Sequence, residues 1–197
     1  MIQFDKVSLE FSKSYIFQNL SFQIKSGEHV CLSGASGKGK SSILKLLQGF
    51  IKLNQGNIKV NSMELSDLSI QEIREFIIWI PQNVNLSVNS GQELIELLEL
   101  NHEINKIESY LNRLGLNKDI LKQDFREVSG GQKQRIVISI CFAMDRDIIL
   151  MDEPTSSLDD SSTESLIQLV NSMKDKTILS ASHNLLWVNN AQQIINL

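Results

Sequence analysis

One run of residues narrows the possible folds more than any other: Gly34-Ala35-Ser36-Gly37-Lys38-Gly39-Lys40-Ser41. It fits the pattern G-x-x-x-x-G-K-[ST], and its flanks give the context that the pattern requires. Before it, His29–Ser33 is short and nearly apolar, which reads as a strand. After it, Lys40–Gln48 places Ile43, Leu44, Leu46 and Leu47 on one helical face, with Gly49 as the stop. A strand that feeds a helix through a glycine turn begins a βαβ unit, so a mostly parallel sheet covered by helices is expected. The glycines let the backbone curl so that successive N–H groups of Gly34–Gly39 point inward at an anion. The helix N-terminus, with Ser42 in its first turn, adds its positive end. In such a loop Lys40 reaches the β- and γ-phosphates of a nucleotide and the Ser41 hydroxyl ligates Mg²⁺.

The remaining segments fit around that unit. Residues 2–24 alternate apolar and polar through Ile2, Phe4, Val7, Leu9, Phe17, Leu20, Phe22 and Ile24, which predicts antiparallel strands with one wet face. A polar turn is expected at Asn54–Asn57, a strand at Ile58–Val60, and a buried strand at Ile77–Ile80 that ends at Pro81. From Ser90 to Leu116 the pattern becomes helical, once through Leu94, Leu97 and Leu98 and again through Ile104, Ile107, Leu111 and Leu114, with Gly115 as a cap. Further expectations are a helix rich in Ile and Val after Gly131, a strand at Ile148–Met151, a capping box at Ser161–Glu164 opening another helix, and strands at Thr177–Ser180 and Gln193–Leu197. The fold class is α/β: a P-loop NTPase core with a mostly parallel sheet, an N-terminal antiparallel β region and an inserted helical subdomain. As one domain, about 1–82 and 133–197 form the core, and about 83–132 form the helical subdomain.

Two further motifs carry chemistry. Ile148-Ile149-Leu150-Met151 delivers Asp152 and Glu153 to the carboxyl edge of the sheet, where ligands bind in open α/β folds. Asp152 is placed to hold Mg²⁺ through water, and Glu153 to polarise an attacking water as general base. The other motif is a second glycine loop at a helix start, Val128-Ser129-Gly130-Gly131-Gln132, followed by Lys133-Gln134-Arg135. It resembles the LSGGQ signature of the ABC ATPases, with Val128 in place of leucine.

That resemblance covers nearly the whole chain and carries its own expectations. The ligand is ATP. Ser129, Gly130, Gly131 and Gln132 serve the nucleotide held by a partner's phosphate loop, so two sites are sandwiched head to tail. Gln82, after Trp79-Ile80-Pro81, matches the glutamine that contacts Mg²⁺ and links the site to the helical subdomain. Ser156-Ser157-Leu158-Asp159 matches the loop at the dimer interface, with Ser157 where alanine is commoner. His183, in Ser180-Ala181-Ser182-His183-Asn184, matches the switch histidine at the γ-phosphate. His29 and His102 have no such placement and read as ordinary. Counting back from Gly34 puts Phe11 at the usual adenine-stacking position, with Tyr15 as the alternative. The departures, Val128, Ser42, Ser157 and a compact helical segment, remove no catalytic group, so active hydrolysis is expected.

Composition removes several function classes. With a net charge of −4, general binding to nucleic acid through phosphate contacts is not expected. No apolar run approaches the roughly 20 residues that cross a bilayer, and Met1-Ile2-Gln3-Phe4 has no basic start of a signal peptide. Cys31 and Cys141, far apart in apolar sequence, read as buried reduced thiols. The implied setting is cytoplasmic and peripheral, at the inner face of the cell membrane. The implied partners are a second copy or a homologous ATPase subunit, and integral membrane permease chains. The alternative is a soluble ABC ATPase that acts on a cytosolic partner, as in iron–sulfur assembly.

Overall fold

The computed structural model describes residues 1–12, 14–84 and 86–197. In chain order the elements are β1 (Ile2–Phe11), β2 (Ser14–Ile24), β3 (His29–Ser33), α1 (Lys40–Leu47), β4 (Gln55–Val60), β5 (Met63–Glu64), α2 (Ile70–Glu75), β6 (Ile77–Ile80), α3 (Gly91–Leu97), α4 (Ile104–Arg113), α5 (Gly130–Ala143), β7 (Ile148–Asp152), α6 (Asp160–Ser172), β8 (Thr177–Ala181), α7 (Leu185–Val188) and β9 (Gln193–Asn196). Two short 3-10 turns, Asn101–Glu103 and Lys118–Lys122, flank α4.

The strands form two sheets. One is antiparallel, in the order β2-β1-β4-β5; the other is parallel, in the order β6-β7-β8-β3-β9. The alternation of side chains along a strand fixes what each face of the parallel sheet meets. On β7, Ile148 and Leu150 face the cluster that holds α1 and the antiparallel sheet. Ile149 and Met151 face the opposite way, onto α5, α6 and Trp187 of α7. Helix α1 therefore lies between the two sheets, with Ile43, Leu44, Leu46 and Leu47 fully buried, and each such side chain contributes roughly 1.5–3 kcal/mol on burial.

A third cluster joins Leu94 and Ile95 of α3, Ile107 and Leu111 of α4, and Ile120 and Leu121 to one side of α5. The other side of α5, through Ile138 and Phe142, packs in the sheet cluster. A subdomain boundary drawn at residue 132 falls inside this helix, which belongs to both bodies because its apolar residues cover more than one face. Among the described residues, no helix is long and apolar enough to cross a membrane.

Some local expectations are corrected. Gln55–Asn57 is not a turn but the start of β4, because its backbone pairs with β1 (Ser8 with Gln55, Asp5 with Asn57), and a bulge at Lys6 (φ 49°) absorbs the irregularity. The cap of α6 is Asp159, whose carboxylate accepts the Ser162 N–H at 2.7 Å; Ser161–Glu164 is not a capping box but lies inside the helix. The capping box is found instead at α5, between Ser129 and Gln132. Both cysteines are free thiols, Cys31 buried and Cys141 only partly so.

Candidate active site

Because the second sheet is parallel, every carboxyl end points to one edge. Its register puts Leu32 of β3, Ala181 of β8 and Asp152 of β7 in one row, with Ile80 of β6 beside Met151 one row earlier. The segments that continue from these rows are the Gly34 loop, the His183 loop, Glu153 and Gln82. A cleft of about 490 Å³ opens there, lined by Phe11, Ile16, Gly34–Gly37, Gly39–Ser42, Gln82, Glu153 and His183.

The loop has the form its glycines allow. Gly39 caps α1 with φ 91°, a backbone angle that other residues rarely adopt, and a Cβ there would collide with the Ile16 side chain. Lys40 is buried, and its ammonium donates to the carbonyls of Gly34 at 2.8 Å and Ala35 at 3.2 Å. The cation is thus satisfied by the loop that would otherwise frame a phosphate. Ser41 Oγ donates to Asp152 Oδ1 at 2.9 Å. Burial pushes the Asp152 carboxyl above its usual range, and the hydrogen bond from Ser41 partly opposes this. A hydroxyl and a carboxylate in contact, with the Gln82 amide lining the same cleft, make an all-oxygen donor set. That set fits Mg²⁺, which keeps waters and phosphate oxygens and needs few protein ligands.

Glu153 has an unusual backbone. Its φ is 46°, in the left-handed region, although a proline follows. Its N–H donates to Ala181 O at 2.8 Å, and its C=O accepts from the Ser156 N–H at 3.1 Å. Its carboxylate is 11 % exposed; Oε1 accepts from His183 Nδ1 at 2.9 Å, and His183 is 74 % exposed. Glu153 Oε2 is buried, with no hydrogen-bond partner among the described residues.

Several sequence candidates stand elsewhere. Lys38 is exposed and does not line the cleft. Of the two aromatic candidates, Phe11 lines the cleft and Tyr15 does not, though both are about half exposed (47 % and 46 %). Asp152 lies beneath the cleft and reaches it through Ser41. Ser129, Gly130, Gly131 and Gln132 are absent from the lining altogether. Ser129 and Gly130 are exposed at the surface, while Gly131 is pressed against the loop after Glu153, where a Cβ would sit 2.5 Å from Ser157 O. Sequence reasoning missed Ile16, whose only signal was its place in the alternation of β2.

This geometry has clear relatives. A family model described as "ABC transporter" matches residues 17–156. The chain belongs to the ABC transporter family. Across 98% of its length it is 32% identical to the energy-coupling factor transporter ATP-binding protein EcfA1 of Ureaplasma parvum, of which it covers 70%. It is also 32% identical to a putative export ATP-binding/permease protein of Rickettsia typhi, over 97% of this chain and 37% of that protein. Its fold superposes on a dimeric post-hydrolysis structure of the ATP-binding cassette MJ0796 bound to ADP and Pi, with a TM-score of 0.87, 26% identity, and coverage of 100% of this chain and 94% of that one. The chain is an ABC ATP-binding domain and an ATPase of that type. The matched span contains the Gly34 loop, Gln82, Ser129–Gln132, Asp152 and Glu153, while His183 lies beyond it.

Proposed function

We propose that this ABC ATPase drives a substrate through separate membrane-spanning chains by closing and reopening against a second copy of itself or a homologous subunit. The observation that carries this reading is the separation of the two glycine loops. The cleft gathers the Gly34 loop, Lys40, Ser41, Gln82, Glu153 and His183 but not Ser129–Gln132, whose first two residues are exposed elsewhere on the same chain. A second chain brings the matching loop to this cleft and receives this one in return.

Within the cleft the roles follow from position. The loop amides from Gly34 to Gly39 take the phosphate oxygens. Lys40 exchanges its two loop carbonyls for the β- and γ-phosphates. Phe11, at the mouth, offers a face to adenine. Ser41 and Gln82, with Asp152 through water, would hold Mg²⁺, which when bound neutralises charge developing on the phosphates. The Glu153 carboxylate, which lines the cleft, is the acceptor for a proton of the attacking water. His183 Nδ1 fixes one carboxylate oxygen, which leaves the rest of its exposed ring free for the γ-phosphate. The reading places the chain peripherally at the inner face of the membrane, beside the spanning chains it would drive; relatives such as EcfA1 are named transporter ATP-binding proteins.

A tagged Glu153→Gln chain, extracted from membranes in mild detergent with ATP present, tests both parts. The expected product is an ATP-dependent dimer that carries an integral membrane protein and turns over at least about 100-fold more slowly than wild type. Undiminished turnover removes Glu153 as base. Recovery with soluble chains alone removes the transport reading.

A further inference from the structure

Gln134 has no part in the roles above, yet it is 3 % exposed and reaches the backbone of Glu153. Its Nε2 donates to Glu153 O at 3.4 Å, and its Oε1 is buried with no partner among the described residues. The reverse amide orientation would set two acceptor oxygens against each other. A buried amide with one long hydrogen bond and one unpaired oxygen is worse for stability than an apolar side chain of the same length. Packing alone does not account for it.

What it touches is the most constrained turn of the site. Glu153 holds a left-handed φ of 46° directly before Pro154, a conformation that costs of order 1–3 kcal/mol and persists only when its surroundings impose it. Three hydrogen bonds impose it here: from Glu153 N–H to Ala181 O, from Ser156 N–H to Glu153 O, and from Gln134 Nε2 to that same oxygen. The first two come from β8 and from the turn itself. Only the third comes from α5, two residues beyond the Ser129–Gln132 capping box. The same helix start also presses Gly131 on Ser157 O. The beginning of α5 and the turn 153–157 therefore touch at two points.

We propose that Gln134 is a positioning residue: it ties the helix that carries Ser129–Gln132 to the backbone of Glu153, so that a partner's nucleotide docking on that helix sets the aim of the carboxylate in its own cleft. The long bond shortens when the helix is seated, as hydrogen bonds in a site tighten on assembly. This rests on the reading of Glu153 as the base and of Ser129–Gln132 as the surface that a partner engages.

The test uses the whole chain. Gln134→Met keeps the length and removes the amide. Gln134→Asn keeps the amide on a stem one methylene shorter. Ile136→Val, wholly buried in the helical cluster, loosens the same helix without reaching Glu153. Both Gln134 variants are expected to lose about 10- to 100-fold in kcat, with KM for ATP changed by less than about threefold and ATP-dependent dimerisation retained. Ile136→Val is expected to lower Tm and keep kcat. A kcat within about twofold of wild type in either folded Gln134 variant overturns the assignment. Failure of both to fold, with Ile136→Val folded, overturns it as well, because Gln134 is then structural. Glu153→Gln in parallel separates the causes: if it too turns over normally, the reading of the base has failed; if it is inactive while the Gln134 variants are not, the role of Gln134 alone has failed.

Discussion

Gly39 and Ser129 are both N-caps beside glycines, but the glycines precede α1 whereas Gly130 and Gly131 open α5 itself, and the two caps leave the helix ends in different states. Gly39 offers no side chain to α1, so the first N–H groups of that helix are uncapped and aimed at a cleft. Ser129 Oγ accepts the Gln132 N–H at 3.2 Å, and Gln132 Oε1 accepts the Ser129 N–H at 2.8 Å, so α5 carries a reciprocal side-chain cap, while the Gly130 and Gly131 N–H groups have no acceptor among the described residues. The first loop is unfinished without an anion and sits in its own chain's pocket. The second carries a cap made by its own side chains and exposes Ser129 and Gly130 at the surface. A shared residue vocabulary, glycine and serine at a helix start, thus gives an uncapped end that faces a cleft in one place and a side-chain-capped end at the surface in the other.

The largest expected effect breaks the first member of that pair. Lys40→Ala removes the only cation lining the cleft apart from any charge on His183, among the described residues. Two charge-assisted contacts to phosphate are lost together, about 4 kcal/mol or roughly 1000-fold in ATP affinity, read by calorimetric titration of the isolated chain. The comparison predicts that Ser129→Ala leaves that affinity within about twofold, since Ser129 does not line the cleft. Equal losses in the two variants would erase the distinction between the loops.

A smaller effect concerns how the first loop is held. His29 starts β3, the strand that delivers the cradle, and it is buried against Trp187 with its Nε2 3.2 Å from Ser180 Oγ. Burial lowers its pKa from 6.5 to about 4. The unfolded chain therefore takes up this proton first, so stability rises with pH across that window. It is complete above pH 6.5 and is lost as pH falls towards 4, by roughly 3 kcal/mol in all. Urea unfolding between pH 7.5 and 4.5 reads the slope, and His29→Gln is expected to flatten it. An unchanged slope in that variant would mean that another group carries the acid sensitivity.

How far all this could be read from residues alone depended on what each residue's job requires. β3, β6 and β7 were legible because strands buried on both faces are nearly pure apolar runs, and the cradle was legible because only glycine permits its backbone. The helix α2 was missed: it has six residues and buries only Ile73, too little pattern to register. The start of β4 looked like a turn because polar Gln55–Asn57 pairs through its backbone, which residue type does not report. Asp159 caps α6, but Ser161-Ser162-Thr163-Glu164 just beyond it has the same composition as a capping box, so residue type alone does not place the cap. Within the site, the left-handed angle of Glu153 and the reach of Gln134 were invisible, because neither residue type favours that conformation or contact. The capping box of α5 is spelled out in Ser129-Gly130-Gly131-Gln132, with serine at the N-cap and glutamine three residues on.

That capping box gives the smallest and most discriminating effect. Ser129→Ala removes one of two reciprocal bonds and leaves the Gln132 N–H without its acceptor, at a cost of about 1 kcal/mol in unfolding free energy. Chemical denaturation of the isolated chain, without nucleotide, measures that cost. If the hydroxyl served only the fold, ATP turnover per folded molecule would be untouched. If it also swings out to a partner's γ-phosphate, turnover at saturating ATP falls by about 10-fold or more while ATP affinity in the isolated chain holds. Ser129→Thr keeps the hydroxyl and most of the cap, so it separates the two roles further: stability returns in large part, and turnover returns only to the extent that the extra methyl clears the partner's nucleotide.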